Sequence, residues 1–126
     1  MFYLPDTNIL ICALSGQEPY ASWLVKNIKE KTILLSAIVV SEYLSGVTKD
    51  EEVAFRGILE NVEVVPVDSV IAQVGAGYRR EYSRKRKKVW LFDCLIAATC
   101  KVYGAALVTF DEKDYPMKNI EVITKI

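Results

Sequence analysis

Four carboxylates that lie far apart along the chain are the side chains best suited to do chemistry: Asp6, Glu42, Asp93 and Asp111. The chain has no histidine, which excludes Ser-His-Asp and Cys-His catalysis and every metal site that depends on imidazole. Carboxylates brought together repel one another, so a cluster of four needs a divalent cation to be stable when ionised. A set of oxygen ligands favours Mg²⁺ or Mn²⁺.

Two of these acids follow strand-like runs. Asp6 comes directly after the first run, and Asp111 comes after residues 106–109, positions where parallel sheets place ligand-binding groups. Each also has a simpler explanation, because Asp6 could be a helix N-cap and Asp111, with the nearby Asp114, could belong to a turn. Position alone leaves both explanations open.

The other two acids lie within apolar segments. Glu42 is one helical turn after Ile38, so it faces the apolar side of its helix or the edge of that side, and capping cannot explain it. Asp93 interrupts an apolar run, although it would be a cap if its helix began at Cys94. A carboxylate in such surroundings is unfavourable unless it is paired or bound to a cation. Together the four acids predict one acidic pocket.

Strand-like and helical runs alternate along the chain. The predicted strands are residues 2–4, 32–35, 62–67, 105–109 and 120–123. Helices are predicted after Asp6, from Tyr20, after Ser36, over 50–60, from Asp68 towards Tyr82, and from Trp90 to Val102. In the helix over 50–60, Val53, Ile58 and Leu59 are predicted to face inward. The pattern predicts an α/β fold, a three-layer α/β/α sandwich with a mainly parallel central sheet, in a single domain over residues 1–126. Gly75 and Gly77 are unfavourable within their predicted helix.

The bulk composition fits a globular domain, with 52% hydrophobic and 25% charged residues. No apolar run is long enough to cross a bilayer and no signal peptide is evident, so we expect a cytoplasmic protein without membrane contact. The three cysteines are odd in number and have apolar neighbours. They are predicted to be reduced thiols of the core rather than disulfides or zinc ligands.

A basic stretch precedes Asp93, although the formal net charge is zero. It holds seven of the sixteen Lys and Arg residues within residues 79–88, and the candidates for RNA binding are Arg84, Lys85, Arg86, Lys87 and Lys88. Such clusters bind backbone phosphates with little dependence on sequence. A solvated helix end or a surface for an acidic partner segment would explain the same residues.

Four segments in this order resemble PIN-domain nucleases: LPDTNIL at 4–10, LSA at 35–37 with SEYLSG at 41–46, DCLIAAT at 93–99, and LVTFDEKDY at 107–115. The similarity extends over almost the whole chain. Its length and motif order are most similar to the VapC toxins of prokaryotic type II toxin–antitoxin systems.

The resemblance implies that Asp6, Glu42, Asp93 and Asp111 bind one or two Mg²⁺ or Mn²⁺ ions, with Asn8 and Thr109 as polar supports behind them. It also implies hydrolysis of RNA phosphodiester bonds by a metal-activated water, inhibition by a VapB-like antitoxin, and a homodimer. The last motif departs from the family pattern, so the fourth ligand is either Asp111, preferred for its spacing from Thr109, or Asp114.

Two other functions fit parts of the sequence. A small-molecule phosphohydrolase could use Asp6 as a phosphorylated nucleophile, but Asn8 stands where the usual Asp-x-Asp pattern has its second acid. A non-catalytic RNA-binding module could use the basic stretch alone, which would leave the four acids unexplained.

Overall fold

The computed structural model describes residues 1–126, which form five strands and six α-helices. The strands are β1 (Tyr3–Pro5), β2 (Leu34–Ser36), β3 (Glu63–Val65), β4 (Ala106–Val108) and β5 (Val122–Ile123). The helices are α1 (Thr7–Leu14), α2 (Tyr20–Lys29), α3 (Ala37–Leu44), α4 (Lys49–Leu59), α5 (Ser69–Arg84) and α6 (Leu91–Tyr103). A short 3₁₀ helix over Glu112–Asp114 lies between β4 and β5.

All strand pairs are parallel. β1 pairs with β4, β4 with β5, and β2 with β3, while a bridge between Tyr3 and Ile33 joins the two groups in the order β3-β2-β1-β4-β5. The predicted α/β class with a parallel sheet is confirmed. Because the strand order reverses between β1 and β4, a ligand crevice is expected at the carboxyl ends of these two strands.

Side-chain caps start four of the six helices, and the caps of α1, α3 and α5 come at or shortly after the end of a strand. Asp6 accepts a hydrogen bond from the Ile9 N–H at 3.0 Å, and Ser36 accepts one from the Ile38 N–H at 3.1 Å. Asp68 caps α5 in the same way. Capping satisfies N–H groups that have no partner within the helix. Since Asp6 is also the residue after β1, this cap holds its carboxylate at the edge of the sheet.

Close packing between α5 and α6 explains the unexpected glycine in α5. A Cβ atom added to Gly75 would lie 2.7 Å from Cδ2 of Leu95, whereas one added to Gly77 would meet nothing closer than 3.9 Å. Gly75 therefore lets the two helices approach, which outweighs its poor helix propensity. The helix that carries Asp93 is thus held against the helix that carries the basic stretch.

One prediction about the core is wrong. Val53 is 66% exposed, and Phe55 is the buried residue of α4, with its ring centroid 4.6 Å from that of Tyr43. Ile58 and Leu59, three and four residues after Phe55, share its face, while Val53 is turned away.

The cysteines follow the prediction. Cys94 and Cys100 are buried, Cys12 is half-buried, and all three are free thiols. None of the helices has the length and apolar character needed to span a membrane.

Candidate active site

Four carboxylates line one pocket of ≈ 160 Å³ at the carboxyl end of β1. They come from four separate segments, and the lining residues are Asp6, Glu42, Asp93 and Asp114, together with Thr7, Asn8, Ile96 and Tyr115. Three of the four predicted acids therefore meet as expected, at the point where the strand order reverses.

Asp6 is both a helix cap and part of this pocket. One carboxylate oxygen accepts the Ile9 N–H, and the other accepts a short hydrogen bond from the Thr109 hydroxyl, which follows β4. Burial raises the pKa of Asp6, although hydrogen bonds from Thr109 and from the backbone of Ile9 and Asn8 oppose the shift. Asn8 itself lines the pocket. The two explanations weighed for Asp6 are thus compatible.

Glu42 is half-buried on α3 and faces α1. Its Oε1 accepts a hydrogen bond from the Thr7 hydroxyl at 2.6 Å. This contact provides the partner that a partly buried glutamate needs. Thr7 was not among the candidate residues, because its contact with Glu42 joins residues 35 positions apart.

Asp93 is the third residue of α6 and does not cap it, because the N-cap position belongs to Trp90. Its Oδ1 accepts a hydrogen bond from the Tyr115 hydroxyl at 3.3 Å. Burial, and next the charge of Asp114, raise the pKa of Asp93 from its usual 3.8 to about 6, with Glu42 and Asp6 adding to the effect. The expected repulsion among the carboxylates is therefore present.

The structure places Asp114, rather than the preferred Asp111, in the pocket. Asp111 is exposed, and its carboxylate accepts the Lys113 N–H at 3.2 Å, which caps the 3₁₀ turn. Its backbone N–H donates to the Thr109 hydroxyl at 3.1 Å. Asp111 thus stabilises the 3₁₀ turn, and the turn brings Asp114, three residues later, beside Asp93. Burial and the charge of Asp111 raise the pKa of Asp114.

No cation of the protein compensates the four acids. The single salt bridge in the structure joins Arg56 to Glu52 on α4, at 2.8 Å. The acids line the pocket rather than converge on one point, since no group of three or more cysteine or acidic side chains surrounds a single ion position. An uncompensated pocket with oxygen donors only nevertheless has the chemistry that suits a hard divalent cation.

The basic stretch spans the end of α5 and the loop before α6. Arg84 is the last residue of α5, and the five candidates for RNA binding are all exposed and form no salt bridge. The ammonium groups of Lys85 and Lys87 lie 5.1 and 5.9 Å from the centroid of the Tyr82 ring. This stretch is therefore free to contact a ligand that approaches the pocket.

Comparison with known proteins agrees with this geometry. A family model described as PIN domain matches residues 3–121. The chain belongs to the PIN-domain family. This PIN domain is 31% identical over 114 residues to ribonuclease VapC10 of Mycobacterium tuberculosis. The aligned region covers 90% of this chain and 86% of VapC10. The domain is 32% identical over 115 residues to ribonuclease VapC19 of the same organism, covering 90% and 92% of the two chains.

Solved structures give the same result. The crystal structure of VapBC2 from Rickettsia felis bound to a promoter DNA fragment contains a chain that superposes on this PIN domain with a TM-score of 0.83 and 25% identity, covering 98% of both chains. The resemblance inferred from the four motifs is confirmed.

Proposed function

We propose that this PIN domain is an endoribonuclease that uses Mg²⁺ or Mn²⁺ to hydrolyse RNA phosphodiester bonds in the cytoplasm, as the toxin of a toxin–antitoxin pair. The observation that carries the proposal is the meeting of Asp6, Glu42, Asp93 and Asp114 in one pocket without a compensating Lys or Arg. The similarity to two proteins named ribonucleases supports RNA as the substrate.

The four carboxylates would hold the cation, which when bound supplies a Lewis acid for the phosphate and lowers the pKa of a water molecule. The residues behind them hold them in place. Thr109 and the Ile9 N–H hold Asp6, Thr7 holds Glu42, and Tyr115 holds Asp93. Such supporting hydrogen bonds fix the orientation of metal ligands.

Tyr115 is suited to a purely donating role. Its side chain is buried, and burial together with the neighbouring Asp93 and Asp6 raises the pKa of its phenol. The proton therefore stays on the phenol oxygen at neutral pH, and the hydroxyl donates a hydrogen bond to Oδ1 of Asp93. We assign to Tyr115 the positioning of Asp93, not the transfer of a proton.

Cleavage of RNA tests the proposal directly. Mixed cellular RNA would be incubated with the wild type, Asp6→Asn, Asp93→Asn and the control Asp50→Asn on α4, each in Mg²⁺ and in EDTA. We expect the two pocket variants to lose more than about 100-fold in rate, since even groups behind the ligands change activity by 10–100-fold. The Asp50 variant should match the wild type. Equal cleavage by all four proteins, or undiminished cleavage in EDTA, contradicts the assignment.

We further propose that a VapB-like antitoxin binds this chain and that the chain forms a homodimer. The antitoxin is supported by the likeness to VapBC2, which was solved with DNA from its own promoter, and to a chain of a toxin–antitoxin complex from Klebsiella pneumoniae. The homodimer is supported only by the family resemblance. Light scattering on the purified chain should give twice the mass of 14.2 kDa. A monomer at all concentrations contradicts the dimer.

A phosphohydrolase that forms a phosphoaspartate gains no support. Both carboxylate oxygens of Asp6 already accept hydrogen bonds, from Ile9 and Thr109. Hydrogen bonds to the charged form stabilise it and so weaken it as a nucleophile.

A further inference from the structure

Three consecutive large apolar side chains are exposed where α6 begins. Trp90, Leu91 and Phe92 are 62%, 48% and 53% exposed, whereas the buried face of the helix starts at Cys94. Trp90 occupies the N-cap position of α6 but makes no side-chain capping hydrogen bond. Its indole therefore has no evident structural task, and contiguous exposed apolar groups of this kind mark binding sites.

These side chains line a second pocket, which adjoins the acidic one. It has a volume of ≈ 380 Å³ and is lined by the apolar Trp90, Leu91 and Phe92 and by the acidic Glu42 and Asp93. Glu42 and Asp93 also line the acidic pocket, so the two pockets share these walls. A ligand with a charged group in the acidic pocket would have its neighbouring group beside Trp90.

The positive charges that precede Trp90 in the chain are complementary to a polyanion, whereas the pocket's own charged residues, Glu42 and Asp93, are acidic. The Lys88 ammonium lies 5.1 Å from the centroid of the Trp90 ring, and the four residues before Lys88 are also cationic. Cations bind backbone phosphates, while exposed aromatic rings stack on nucleobases. RNA alternates these two groups at every nucleotide.

We propose that Trp90 and Phe92 form a base-binding site for the nucleotide next to the phosphate held in the acidic pocket, with Lys88 on the following phosphate. The proposal rests on the RNA-cleaving function proposed above and adds to it the two side chains that would contact an unpaired base, because bases within a duplex are already stacked. Stacking recognises the π face that all bases share, so this site selects unpaired nucleotides rather than a sequence.

Binding measured by fluorescence tests the site without relying on catalysis. The full chain would be titrated in EDTA and, because the carboxylates repel a phosphate when no cation is bound, also in Ca²⁺. The probes are a single-stranded RNA octamer, the same octamer in a duplex, and an abasic sugar-phosphate octamer. The chain has two tryptophans, and Trp23 packs against Tyr3 with ring centroids 6.0 Å apart, so Trp90 is the fluorophore expected to respond. Single-stranded RNA should quench the fluorescence, the other two probes should quench it far less, and Trp90→Phe should remove the quenching.

Affinity gives the second readout. Trp90→Leu, which keeps an apolar side chain but removes the ring, should weaken binding of the single-stranded octamer by roughly tenfold or more, as expected for the loss of one stacked base. It should leave binding of the abasic octamer unchanged. The matched control is Tyr103→Leu, which removes an exposed ring from the last residue of the same helix and should bind like the wild type.

The outcomes separate this site from the proposed function. Stacking without RNA cleavage under any divalent cation would support the site and count against the enzyme. Normal cleavage with unchanged affinity and KM in Trp90→Leu would overturn the site and leave the enzyme standing. If Trp90→Leu lost binding to a co-expressed antitoxin but kept its RNA affinity, the surface would be assigned to a protein partner and the base-binding site would be overturned.

Discussion

The acidic pocket and the segment over residues 84–92 are built in opposite ways. In the pocket, hydrogen bonds join residues far apart in sequence: Thr109 to Asp6 across 103 positions, Thr7 to Glu42 across 35, and Tyr115 to Asp93 across 22. The segment is a run of consecutive residues that are exposed except for the buried Val89, and the side chains of its five cations make no hydrogen bond or salt bridge. Chemistry on a phosphate needs fixed groups, whereas attraction of a polyanion tolerates mobile ones.

The largest expected effect is on the rate of RNA cleavage, and it distinguishes Asp111 from Asp114 at the two ends of the 3₁₀ turn. Asp114→Asn should lower RNA cleavage by about 100-fold, because it removes a group that lines the pocket, while Asp111→Asn should lower it by less than about tenfold. Single-turnover rates at saturating Mg²⁺ measure both. A larger loss in the Asp111 variant would show that the turn rearranges when metal binds.

The contact between α5 and α6 connects the two regions, and two glycines of α5 probe it. Gly75→Ala should destabilise the fold by about 1–3 kcal/mol, because its Cβ would meet Leu95 at 2.7 Å. Gly77→Ala has open space and should stabilise the fold by about 1 kcal/mol through helix propensity. Urea unfolding measures the difference. Equal effects would mean that Leu95 moves aside without strain.

The basic segment should show its role through salt dependence. Replacing Arg84, Lys85 and Lys87 by Gln should weaken single-stranded RNA binding by about tenfold and reduce the slope of log K against log [salt] by about 2. The control replaces three exposed cations by Gln, namely Lys26 and Lys29 on α2 and Lys31 just after it. Similar losses in both triple variants would mean that the protein binds RNA through its overall charge and not through this segment.

The pKa of Asp93 predicts how stability depends on pH without metal. Because this pKa is raised from 3.8 to about 6 in the folded protein, the folded state binds more protons than the unfolded state between these values. The contribution of Asp93 to stability is therefore full below pH 3.8 and is lost as the pH rises to about 6.

Asp93→Asn in EDTA tests this dependence. At pH 7 the variant should be more stable than the wild type by about 1 kcal/mol, after allowance for the solvent screening of a half-exposed group. This advantage should shrink towards pH 4, where the wild-type carboxyl is protonated. Urea unfolding at several pH values measures it. An advantage that does not change with pH would point to packing instead of charge.

Local patterns were sufficient to predict much of the fold and part of the site. Asp6 was found because it directly follows an apolar strand, and Glu42 because helical periodicity places it beside Ile38 and Val39. The choice between Asp111 and Asp114 could not be made from sequence, since aspartate in a turn serves equally as a cap or as a ligand. Thr7 and Tyr115 were missed because only tertiary packing brings them to Glu42 and Asp93.

Calorimetric titration of the metal-free protein with Mn²⁺, in the absence of RNA, tests most directly whether the dispersed carboxylates form one cation site. The wild type and Asp111→Asn should both bind Mn²⁺ saturably, and Asp93→Asn should lose this binding, because Asp93 lies in the pocket and Asp111 does not. Undetectable binding by the wild type at millimolar Mn²⁺, or equal binding by the wild type and Asp93→Asn, would contradict the assignment of the pocket as a metal site.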